Sequence, residues 1–170
     1  MRLLCLSLLL CLLGAFAACD STTVVRQGPT RLLPGRIIVR DLAGQGTTSI
    51  LGAAENGPLH NNMELGQGRS VRTGAGAAAT LVFSNGTFVN LAPNTEVVIE
   101  AFTLLPFAGS VNPEEITTEP STSVTKLTLV LGEISGKVPR LNTDRGSSFA
   151  IRRGTEEQPF NGTIFKVSAP

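Results

Sequence analysis

The sequence has no tryptophan and no tyrosine, one histidine, and three cysteines that all fall within its first 19 residues. Each shortage closes a class of chemistry. Without Trp or Tyr there is no broad aromatic platform of the kind on which sugar and single-stranded nucleic-acid sites stack their ligands. With His60 as the sole histidine, a Ser-His-Asp triad has one candidate base, and no serine sits in a Gly-x-Ser-x-Gly elbow to meet it. A zinc site needs three or four His, Cys or carboxylate ligands, which one histidine and scattered acids do not supply. The glycine-rich stretches Gly66-Gln67-Gly68-Arg69 and Gly74-Ala75-Gly76 lack the Gly-Lys-Ser/Thr ending that cradles phosphate, and read as turns. Glu114-Glu115 and Glu156-Glu157 are adjacent and point apart, whereas glycosidase carboxylates face each other across a bond. Arg152-Arg153 reads as a solvated pair. The expectation is a non-enzyme without metal or cofactor.

No apolar run is long enough for a membrane-spanning helix, which needs roughly 20 residues. The longest, Leu3 to Leu13, follows Met1-Arg2 and precedes Gly14-Ala15-Phe16-Ala17-Ala18-Cys19, the layout of a secretory signal peptide over residues 1–18. Two processing routes fit. Ala15-Phe16-Ala17 satisfies the small-x-small rule of general signal peptidase, and Phe16-Ala17-Ala18-Cys19 resembles a bacterial lipobox, with Cys19 the lipidated residue. The second is preferred, because lipidation removes what would otherwise be a lone thiol in an oxidising compartment. Removing 18 residues leaves 152, enough for one domain with a real core. It also removes Arg2, so the 14 basic residues fall to 13 against 13 acidic ones. A neutral domain has no general field to attract nucleic acid, and none is expected as partner. Membrane contact is expected through the lipid anchor, at the periplasmic or envelope side, or else release as a secreted protein.

What is present is β-sheet patterning. After a Thr/Ser/Gly/Pro-rich tether over 19–34, the domain is expected to run from 35 to 170. Ile37-Ile38-Val39 is a β-branched run. Ala79–Phe83 and Phe88–Leu91 flank Asn85-Gly86, a strong hairpin signal, for which a type I′ turn with two positive φ angles is expected. Glu96–Phe102, Lys126–Leu131 (with Leu127, Leu129 and Leu131 on one face), Glu133–Val138, Ser148–Ile151 and Thr163–Val167 complete the strands. No segment keeps a 3.6-residue period. Short strands at intervals of about ten residues argue an all-β single domain, a twisted solenoid or sandwich. Residues 109–123, rich in Pro, Glu, Ser and Thr, read as a flexible loop insertion. Asn85-Gly86-Thr87 and Asn161-Gly162-Thr163 match the glycosylation sequon, but tight turns account for them. They also form a weak internal echo, each leading into an apolar strand.

The run Gly66–Thr87 carries a glycine-bounded Val71-Arg72-Thr73-Gly74, a stretch of small residues, a strand and the Asn85-Gly86-Thr87 turn. Leu91, Pro93 and Asn94 follow. Later come Leu129-Val130-Leu131-Gly132-Glu133-Ile134, Ser148-Phe149-Ala150-Ile151 and Gly162-Thr163-Ile164-Phe165-Lys166-Val167. In this order, from about Gly35 to the end, the blocks resemble the FecR-like domain. The resemblance implies an extracytoplasmic β-rich module. In the best-known members this is the periplasmic part of a regulator that senses a TonB-dependent transporter and controls a sigma factor. It marks Arg72, Thr73, Gly74, Asn85, Gly86, Thr87, Pro93, Asn94, Gly162, Thr163 and Phe165 as family-motif positions. The chain shows no cytoplasmic anti-sigma segment, and it stops at Pro170 where relatives continue with further strands. The expected function is binding or sensing of an envelope protein, a transporter-associated protein or a surface polymer, with signal transduction as its setting. The alternative is a structural scaffold without a signalling role. The turns around Asn85-Gly86 and the loop 109–123 are the expected binding face.

Overall fold

The computed structural model describes residues 31–53, 56–107 and 112–170. The expected signal peptide, Cys19 and the expected tether as far as residue 30 lie outside the described residues. The described chain is all-β. Its strands are β1 Leu33–Pro34, β2 Ile37–Ala43, β3 Gly46–Ile50, β4 Asn56–Pro58, β5 Glu64–Leu65, β6 Arg69–Thr73, β7 Ala78–Phe83, β8 Phe88–Leu91, β9 Glu96–Leu104, β10 Ser123–Lys137, β11 Ser148–Arg153, β12 Glu156–Pro159 and β13 Ile164–Ala169. They form one strongly curled sheet, a half-barrel, with every pairing antiparallel except β10 with β11.

The curl follows from how each lane of the sheet bends. One wing runs β4-β3-β6-β9-β10-β11-β12, and the other β5-β2-β7-β8-β10-β13. Lane by lane, β3 continues β2, β6 leads into β7, β8 leads into β9, and β10 serves both wings. The crease therefore crosses the chain at Gly44-Gln45, at Thr73–Ala77, at Ala92–Thr95 and at Gly132. The two wings enclose one core, the sandwich-like arrangement that the strand spacing implied. Ile37, Val39, Leu81, Phe83, Leu91 and Ile134 from one wing pack with Val71, Val97, Ile99, Phe102, Leu127 and Ile151 from the other. Phe83 meets Phe102 edge to face, with ring centroids 5.0 Å apart.

The expected strands Lys126–Leu131 and Glu133–Val138 are one strand, β10, bent at Gly132. Register slips between Leu129 and Leu131. The inward positions accordingly switch from Leu127 and Leu129 to Ile134 and Val138, an odd-to-even change that leaves Leu131 only half-buried. Gly132 takes φ 83°. A Cβ there would lie 2.5 Å from the Thr95 hydroxyl, so the bend needs glycine on two counts.

The domain also begins earlier than position 35, because Leu33 and Pro34 pair with Leu104 and Thr103. The described part of the 109–123 loop is not a free insertion. Pro113–Glu115 forms a 3-10 turn capped by the Asn112 side chain, Ile116 is buried, and Thr118 bridges to Arg140.

The internal echo has a geometric counterpart. On β10, Lys137 is flanked by Phe88 on one side and Ile164 on the other. Gly136 lies between Val89 and Phe165, and Ile134 between Leu91 and Val167. The segments after the two Asn-Gly-Thr triplets thus occupy matching registers on opposite sides of one strand.

Candidate binding cleft

Five motif positions of the first block, Arg72, Thr73, Gly74, Pro93 and Asn94, gather at the crease. Thr73, fully buried, donates its hydroxyl to the Ala92 carbonyl (2.6 Å) and accepts from the Thr95 N–H (3.0 Å). Thr95 in turn donates to the Glu133 carbonyl and accepts from the Glu133 N–H, both at 3.0 Å. Gly74 donates to the Gln45 carbonyl, and its own carbonyl accepts from Asn94, which takes φ 55°. Two threonine hydroxyls thereby satisfy backbone groups that the bend removes from the ladder. Pro93 and Arg72 are exposed beside them, Arg72 in register with Glu96. These positions shape the sheet and do not converge on a pocket.

The Asn85-Gly86 turn differs from expectation in type and in place. Only Gly86 has positive φ (88°). Gly86 N–H donates to the Phe83 carbonyl, and Phe83 N–H to the Thr87 carbonyl. This is a three-residue loop with a left-handed glycine, not a type I′ turn. Ile116 covers Gly86, and Asn85 and Thr87 are fully buried. Asn85 accepts from the Thr87 N–H (3.1 Å) and donates to the Ser123 hydroxyl (3.0 Å). Ser123 donates to Glu119 (2.8 Å), whose other oxygen accepts from the Asn142 N–H (2.6 Å). The turn and the loop, the two features expected to form a binding face, are packed against each other by a buried polar chain, which leaves Asn85 inaccessible. The second echo is looser: Gly162 and Thr163 are exposed, the Asn161 side chain accepts from the Leu141 N–H (2.7 Å), and Phe165 is core.

The adjacent carboxylates are occupied separately. Glu156 pairs with Arg153 (2.9 Å), Glu157 with Lys126 (3.5 Å), and Glu114 and Glu115 flank the Asn112 cap. Arg152 pairs with Glu100, and its Nε donates to the Thr128 hydroxyl. His60 is exposed at the rim of a shallow hollow lined by Thr48, Ser49, Ile50 and Arg69, with no carboxylate among the described residues that line it. Among the described residues no three His, Cys, Asp or Glu side chains gather as a metal site, and no helix is long and apolar enough to cross a membrane.

The larger concavity, about 610 Å³, lies on the outer face of the β2-β7-β8 wing. It follows from period-2 alternation. Ile37 and Val39 point into the core, so Arg36, Ile38 and Arg40 point out. Ile38 is in register with Val82, and Val82 with Phe88, which makes an apolar row across three strands. Thr80 and Ser84 complete the floor, and Phe107, Asn112, Pro113 and Glu114 form one wall. Arg40 donates to the Asn62 side chain, and neither Arg36 nor Arg40 is ion-paired among the described residues. Asp41 closes the end beyond Arg40. Sequence reading recognised the strands Ile37-Ile38-Val39, Ala79–Phe83 and Phe88–Leu91 here, and its expected binding loop, 109–123, supplies Asn112, Pro113 and Glu114 to the wall. The signal it passed over was the arginine at each end of the first run, spaced so that both share the outward face with Ile38.

Compared with protein-family models, curated proteins and solved structures, the chain finds no match.

Proposed function

We propose that this chain is a non-enzymatic, FecR-like binding or sensing module of the bacterial cell envelope, lipid-anchored through Cys19, which engages its partner through the outer-face cleft. The observation that carries the reading is the structural economy of the motif residues. Of the positions underlying the resemblance, Thr73, Gly74 and Asn94 lie together on the crease, and Asn85, Gly86, Thr87 and Phe165 are buried in packing, as positions that define a fold rather than a chemistry should be. A fold specified in this way leaves its outer faces free to vary with the partner. The cleft offers two guanidinium groups and an apolar row, which are recognition elements, and among the described residues it holds no nucleophile paired with a base.

The anchoring part is tested by intact mass and membrane fractionation of wild type beside Cys19→Ala. The expected result is a diacylglycerol-sized mass addition and membrane partitioning for wild type only. Soluble wild-type protein cleaved after Ala17 would overturn the lipoprotein reading and favour a released scaffold.

A further inference from the structure

We infer that the outer-face cleft takes an extended polypeptide segment carrying two carboxylates separated by an apolar residue, in the pattern acidic-x-apolar-x-acidic. The inference rests on the binding-module reading and names the partner chemistry of that same cleft. Arg36, Ile38 and Arg40 project from alternate positions of one extended segment, which puts the two arginines roughly 13 Å apart with the isoleucine midway. An extended chain laid alongside has the same repeat, so its residues one, three and five meet Arg36, Ile38 and Arg40 in either direction. Each guanidinium offers a planar fork that matches a carboxylate with two parallel hydrogen bonds. The middle side chain meets Ile38, Val82 and Phe88, with Phe107 at the wall. Both arginines are exposed and without a carboxylate partner among the described residues, so neither must leave an existing ion pair to bind.

A uniformly charged glycan fits less well for two reasons. Asp41 and Glu114 also line the cleft, at one end and on the wall, and repel a ligand charged at every unit. The chain has no Trp or Tyr on which sugar rings stack.

The test uses the full chain, expressed with its own leader and purified from whichever fraction holds it. The probe is a fluorescein-labelled peptide Gly-Ser-Glu-Thr-Val-Thr-Glu-Ser-Gly, read by fluorescence anisotropy. Arg36→Ala and Arg40→Ala are each expected to raise Kd about tenfold, and Arg145→Ala, which removes an exposed charge elsewhere, to leave it unchanged. Replacing both peptide glutamates by glutamine is expected to abolish binding, and Asp41→Asn with Glu114→Gln to tighten it. The decisive arm is a charge swap. Arg36→Glu with Arg40→Glu, folded by its circular dichroism, should reject the glutamate peptide and accept one bearing two lysines. Failure of the swap in a folded variant overturns the proposal. So does equal binding by wild type and both alanine variants, or binding of oligogalacturonate in preference to the peptide. Anchoring is read by fractionation and ligand choice by titration, so either can fail alone.

Discussion

Gly136 is the most constrained single position in β10. It sits between β8 and β13, and a Cβ there would lie 2.0 Å from the Phe88 carbonyl oxygen and 2.8 Å from the Phe165 ring. Gly136→Ala must therefore push apart two lanes of the sheet. It is expected to cost about 3 kcal/mol or more in urea unfolding. Gly66→Ala, with open space around the site and ordinary φ, is expected to stay within about 0.5 kcal/mol of wild type. Glu133 shows a different kind of constraint. The Lys166 ammonium, hydrogen-bonded to it at 2.9 Å, holds its carboxyl below the usual value of 4.5, with the Ser168 hydroxyl adding to the effect and burial opposing it. A depressed folded-state pKa means that stability is gained above the unfolded value and lost as pH falls through the folded one. Glu133→Gln removes this contribution. Its melting temperature is expected to fall short of wild type near neutral pH and to converge with it well below pH 4.5. The gap should be modest and narrowed by salt, because the pair is partly exposed.

At the scale of elements, the loop leading to β10 is fastened at two points that the sequence disguises. Ile116 plugs the space over Gly86, and Glu119 takes hydrogen bonds from Ser123 and Asn142. Ile116→Ala is expected to cost about 2–4 kcal/mol, and Glu119→Ala about 1–3 kcal/mol by stranding a buried hydroxyl and N–H. Both should speed amide exchange through Thr117–Thr122 before the core strands open. Strands rich in β-branched and aromatic residues, such as Ala79–Phe83, Glu96–Phe102 and Ser148–Ile151, were legible because their alternation matches a half-buried sheet. Gly46–Ile50 and Glu156–Pro159 were not. The first is mostly Gly, Thr and Ser, the second is polar and exposed along its length, and both become strands by pairing with neighbours. The loop was misread for the same reason: its one isoleucine and the last of its three glutamates, set among Pro, Thr and Ser, look solvated until the fold brings Gly86 and Asn142 to them.

Over the whole molecule, the class of fold was written in the chain and its curvature was not. The crease depends on Thr73 and Thr95 hydroxyls meeting backbone groups 19 to 38 positions away, and no local pattern announces such a meeting. The cleft was half legible, since Arg36 and Arg40 bracket a recognised strand, but its wall arrives from residues about 70 positions later. The outer edge at β13 is guarded. Arg153 donates to the Ser168 carbonyl (3.1 Å), and Lys166 stands mid-strand, both of which discourage edge-to-edge pairing with another chain.

The matched registers of β8 and β13 make β10 a rail with two equivalent berths. In a denatured chain returned to water, both claimants are present at once, and either can reach the wrong side first. Synthesis resolves the contest by timing. A chain made N-terminus first delivers the β7-β8 hairpin before β10, and β10 before β13. Buried Asn85 then locks the earlier claimant through Ser123. The direction of synthesis thus supplies topological information that the pairing preferences of the two strands do not contain.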